Sequence, residues 1–195
     1  GGAGGGQVMY LSAWCVLALL VKVFAEEYIT NLFDEINPRE DYNGHVIAAA
    51  RLGATLAALG SIRLERPAAQ LGGWLYAGGA SVLGGLVLLT SRAESLLPAY
   101  AGYVATLGFA QLLQCLAYAR LARLVDARGG GGGFAVVFGV NTSLMLLLQT
   151  GAQLALEVAR LPIRPQFAIL GWFGVGVGAA LGGACCVLRG RPEWR

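Results

Sequence analysis

Lys22, Glu26 and Glu27 lie inside an apolar run that opens at Val8 and ends in the acids and proline of "FDEINP". A charged side chain near the middle of a bilayer costs about 2.5–3.5 kcal/mol on insertion scales unless it is paired or wetted. Lys22 and Glu26 are four residues apart and share one helix face. Arg51 is similarly central in the next apolar run, so with Glu27 these four side chains sum to zero charge. Such a set can close into an internal network that merely bolts helices together, or it can meet a substrate or ion on its way through the membrane, which is the default reading of intramembrane ionisable groups. A second polar set recurs every four residues at Asn141, Met145, Gln149, Gln153 and Glu157, and Gln111 and Gln114 nearly share a face of their own. Buried amides either hydrogen-bond across helices, at about 0.6 kcal/mol each, or line a wet cavity, and a whole stripe of them favours the cavity. No covalent chemistry is expected. His45 has no acid and nucleophile around it, and Cys15, Cys115, Cys185 and Cys186 lack metal-like spacing, so neither an enzyme, a metal nor a cofactor is implied.

The elements that must position these residues follow from the solvent that the composition demands. At 56% hydrophobic and 13% charged residues the chain carries about half the charge of an ordinary soluble domain, and its apolar runs reach the roughly 20 residues that a membrane crossing needs. Six spans are expected, at about residues 8–33, 44–62, 71–90, 97–119, 134–156 and 166–188. Period-two alternation is absent, so the backbone polar groups must be satisfied within helices. The expected fold is an all-α membrane protein of six transmembrane helices in one bundle. Residues 1–7 and the "RGGGGGF" at 128–134 read as glycine-rich linkers, the first of them the expected start of either an excised fragment or a clipped gene model, and 189–195 as a cytoplasmic tail.

Arginine predicts the orientation. Arg63, Arg66, Arg120, Arg123, Arg128, Arg189, Arg191 and Arg195 fall on one side, against Arg39, Arg92, Arg160 and Arg164 on the other, which puts the even connections and both termini in the cytoplasm. The net charge of +3 is therefore a topology signal, and nucleic acid is not an expected partner. "RLERPAA" and "RLPIRP" read as helix exits. Gly174, Gly178 and Gly182 line one face of the last span, where a neighbouring backbone can approach closely.

With the elements placed, several stretches together resemble a known family. "LFDEINP" at 32–38, "YNG" at 42–44, "YAGY" at 100–103, "VFGVNT" at 137–142 and "LPIRPQF" at 161–167 are similar, in order and spacing, to the carboxy-terminal half of the reduced folate and thiamine carriers. These are solute carriers of the major facilitator superfamily. The resemblance implies one six-helix half of a twelve-helix transporter, working by alternating access on a vitamin-like organic ion of the thiamine or folate class. Its partners are the lipid bilayer, the vitamin, a coupling proton or anion and an amino-terminal six-helix half, and the plasma membrane is its expected location. Glutamine at Gln149, where folate carriers place lysine, resembles the thiamine branch. Lys22 and Glu27 align where relatives carry tyrosine or asparagine near the substrate, while Leu107 and Ile47 replace a basic and an acidic residue of the family pattern. On this reading Glu27 and Glu26 offer charge to a cation or take up a proton, and Lys22 tunes their proton affinity. Gln111, Gln149 and Gln153 orient the ligand, Tyr28 or Trp172 stacks on it, and Arg51 compensates in part for the lost charges. The alternative is a non-transporting membrane scaffold, or a truncated and degenerate carrier half.

Overall fold

The computed structural model describes residues 5–39, 42–127 and 133–188. These form six helices: α1 (Gly5–Ile36), α2 (Asn43–Leu71), α3 (Gly73–Ser91), α4 (Leu96–Asp126), α5 (Gly133–Ala159) and α6 (Ile163–Leu188). All six are long and apolar enough to cross a membrane, and no strand occurs among the described residues. The protein is an all-α membrane-spanning bundle. At 32 residues, α1 is roughly 48 Å long, well beyond the roughly 30 Å of a hydrocarbon core.

Three expectations about connections need correction. Gly5, Gly6 and Gln7 belong to α1 rather than to a linker, and Gly133 and Phe134 open α5. "RLERPAA" is helical too, since α2 continues through Pro67 to Leu71 and only Gly72, at φ 59°, separates it from α3. Pro67 removes one backbone donor from the helix, a loss that matters little where an end has left the apolar region and water can meet the freed carbonyl. Pro98 and Pro165 stand in the first turns of α4 and α6, where the missing N–H has no intrahelical partner in any case. Residues 128–132 and the tail from 189 lie outside the described residues.

α1 is the axis of the bundle, packed against α3, α4, α5 and α6, while α2 leans on α4. Its first half joins a core of Trp14, Tyr76, Leu83 and Leu113, where the Trp14 indole donates to the Tyr76 carbonyl at 2.9 Å. Its second half joins Phe24, Phe33, Tyr103 and Phe167. Lys22 and Glu26 occupy the stretch where one core gives way to the other.

The closest approach is between α3 and α6, and small residues make it possible. A Cβ on Gly174 would lie 2.8 Å from the Gly84 Cα, and one on Gly178 would lie 2.7 Å from the Ala77 carbonyl oxygen. Gly182 is looser, with the Trp74 ring 3.6 Å from such an atom.

Candidate functional site

The polar residues converge where α1 meets α4, α5 and α2. Lys22 is buried, with 9% of its surface exposed, and its ammonium donates to the Gln111 Oε1 at 2.7 Å and the Gln114 Oε1 at 2.8 Å. An ammonium has three donors. The remaining one faces the Glu26 carboxylate, with Nζ and Oε1 3.8 Å apart. Arg51 reaches the other oxygen of Glu26 at 3.3 Å from an α2 side chain that is itself 59% exposed. Glu26 thus stands between two cations, and its Oε1 is buried without a hydrogen-bond partner among the described residues.

Glu27 does not join this group. One residue further along a helix is about 100° further around it, and its carboxylate accepts from the Gln153 Nε2 at 2.6 Å. The four-charge set expected from the sequence is therefore divided into a triad of Lys22, Glu26 and Arg51 and a separate carboxylate–amide pair on the α5 side.

The α5 stripe turns inward. Asn141 and Gln149 are the buried residues of that helix, whereas Val136, Val140, Leu147, Leu154 and Val158 face outward. A helix that buries its amides and exposes its leucines is the reverse of a soluble amphipathic helix and suits a bilayer. Asn141 donates to the Ser12 hydroxyl at 3.1 Å. Gln149 keeps a buried Oε1 with no partner among the described residues, and Glu157 is exposed.

A cavity of about 170 Å³ lies between α1, α4 and α5, with Lys22, Gln114, Tyr118, Asn141, Thr142 and Met145 in its lining. It is roomy enough for several waters and smaller than the roughly 300–1,000 Å³ of a complete drug-sized ligand pocket. Sequence reasoning misses Tyr118, Thr142 and Ser12. Tyr118 alone leaves a signal, one helical turn beyond Gln114, whose amide donates to its hydroxyl at 3.3 Å.

The two aromatic candidates are placed differently. Tyr28 is stacked on Phe24 with ring centroids 4.6 Å apart, so one of its faces is already occupied. Trp172 is 61% exposed and shares no hydrogen bond or ion pair with the charged groups among the described residues. Lys22, Glu26, Arg51 and Gln111 meet directly, Glu27 meets Gln153, Gln149 lies on the same α5 face, and Trp172 stands apart.

Comparison with known proteins places the chain in a family. The reduced folate carrier family matches residues 3–169. The chain belongs to the reduced folate carrier family. It is similar to thiamine transporter 2 of Mus musculus, 28% identical over 182 residues, and to thiamine transporter 2 of Macaca fascicularis, 29% identical over the same length. Each match covers 90% of this chain and 36% of the relative, so the chain spans about a third of the length of these curated relatives. That family is one of membrane carriers rather than of enzymes. No group of three or more metal-ligating side chains occurs among the described residues.

Proposed function

We propose that this chain is the carboxy-terminal six-helix half of a carrier that moves a thiamine-like organic cation across the plasma membrane by alternating access, with both ends of the segment in the cytoplasm. The observation that carries the reading is Glu27, an exposed carboxylate on the α5 side of α1, held by a neutral amide, Gln153, at 2.6 Å rather than by a cation. Its negative charge remains available to a positively charged ligand, whereas that of Glu26 is shared between Lys22 and Arg51. Glutamine at Gln149 resembles the thiamine branch, and the unpartnered Gln149 carbonyl oxygen is a ready acceptor for an amino group of the ligand.

The α1/α4/α5 cavity is too small to enclose a vitamin alone. In transporters built from two halves, the substrate lies near mid-membrane between them, and rocking of one half against the other opens the site to each side in turn. A second six-helix body facing this polar interior would complete the site. Within this half, Glu27 and Gln153 contact the ligand, Gln149 and Gln111 orient it, Tyr28 offers the edge of its ring, and the triad sets the local potential.

Uptake of labelled thiamine by cells expressing this half with its partner half tests the proposal. Glu27→Gln keeps the shape and the amide contact and removes only the charge. Uptake is expected to fall at least tenfold at unchanged surface expression. Unchanged thiamine uptake by that variant would sink the assignment.

A further inference from the structure

A second polar centre lies well away from the Lys22 triad. It is at the end of the bundle where α1 begins, α2 ends and α3 starts. There a cavity of about 210 Å³ is lined by Arg120, Arg123, Glu65 and Tyr76, with Ala69 and Leu116 among its apolar walls. From Gln7, at its rim, to Lys22 is fifteen residues along α1, or roughly 22 Å of helical rise. The two centres cannot share one small ligand.

The charges in this cavity do not balance. Arg123 is paired with Glu65, the one acid in the lining. The Arg120 guanidinium lies against the Tyr76 hydroxyl, and its Nη1 is buried with no hydrogen-bond partner among the described residues. A guanidinium cannot shed its charge to escape that position, and a buried, charged donor without an acceptor is among the more costly features that a fold can retain. The missing component is an anion. The planar donor fork of arginine matches a phosphate group in particular, and Arg123 on the next turn adds positive potential from the same wall.

Depth points the same way. Arg120 lies six residues before the end of α4 at Asp126, roughly 9 Å of rise, which places it near the level where helices leave the hydrocarbon. Basic pockets between transmembrane helices at that level are suited to phosphate-bearing headgroups.

We propose that the α2/α3/α4 cavity is a binding site for a phosphate-bearing anion, held by Arg120 with support from Arg123. A phospholipid headgroup and a soluble phosphate share this chemistry. The test compares thermal unfolding of the purified chain in nanodiscs of phosphatidylcholine alone, of phosphatidylcholine with phosphatidic acid, and of phosphatidylcholine with inorganic phosphate at constant ionic strength. A rise in midpoint with phosphatidic acid only assigns the site to a lipid headgroup, and a rise with inorganic phosphate as well assigns it to soluble phosphate. In either case the rise is expected to disappear in Arg120→Met and to survive in Arg92→Met at the opposite end. Ala69→Phe, which fills the cavity and leaves both arginines in place, should abolish the rise too and decides the matter should Arg120→Met fail to fold. No rise with either probe, or a rise that persists in the cavity variants, overturns the proposal.

Discussion

Glu26 and Glu27 are adjacent in the chain and separated by about 100° of helix, and that angle gives them different work. Glu26, with 13% of its side chain exposed, lies between Lys22 and Arg51. Glu26→Gln would leave two cations facing each other across a buried amide. Removing one member of a buried charge set typically costs 3–5 kcal/mol, so this variant is expected to express poorly, as read by fluorescence-detected size-exclusion chromatography. Lys22→Met made together with Glu26→Gln should recover most of the lost expression, because the two buried charges leave together and Arg51, 59% exposed, can turn to water. Failure of the double variant to recover would mean that the Lys22 bonds to Gln111 and Gln114, rather than charge balance, hold this part of the bundle. Glu27 faces α5 and has no such structural debt. Its substitution should be felt in transport and not in folding.

At the scale of the helix, α6 depends on having no side chains where it crosses α3. Gly174→Leu would drive a branched side chain into the Gly84 backbone, where even a Cβ lies 2.8 Å from the Gly84 Cα. Overpacking of this kind costs about 1–3 kcal/mol or more, so the unfolding temperature should drop clearly. The same change at Gly176, which has open space around it, should have little effect. The small-residue repeat was legible in the sequence because glycine every four residues falls on one face. Its partner was not, since nothing in the spacing indicates that Gly84, among the several Gly-Gly pairs of α3, is the one that meets Gly174. The site divides in the same manner. The amides of α5 and the charges of α1 stand out against an apolar background, but their pairing depends on how each helix is rotated, and neither the Glu27–Gln153 bond nor the outward position of Trp172 can be read from one helix alone. The length of α2 escaped for another reason. Arg63, Glu65, Arg66 and Pro67 look like a loop by composition, yet a helix that has left the apolar layer can carry them all.

For the whole molecule, the arginines at the two ends of the bundle bear on which end faces the cytoplasm. The end where α1 begins carries Arg63, Arg66, Arg120 and Arg123 at described positions, and Arg39, Arg92, Arg160 and Arg164 mark the other. The bias toward the first end comes from Arg128, Arg189, Arg191 and Arg195, which lie outside the described residues, so orientation rests on the positive-inside rule as applied to the sequence. The bundle itself permits a clean test, because Arg63 and Arg92 are both exposed, stand at opposite ends and take part in no ion pair among the described residues. In a background with Cys15, Cys115, Cys185 and Cys186 replaced by serine or alanine, Arg63→Cys should be inert to a membrane-impermeant maleimide applied to intact cells and should react once the membrane is permeabilised. Arg92→Cys should react in intact cells. The opposite pattern would invert the topology and would also place the Arg120 cavity on the outer face, away from the anionic lipids of the cytoplasmic leaflet. Labelling of both positions from outside would mean that the bundle had not inserted as six crossings at all, since Arg63 near the end of α2 and Arg92 just after α3 are separated by one full span.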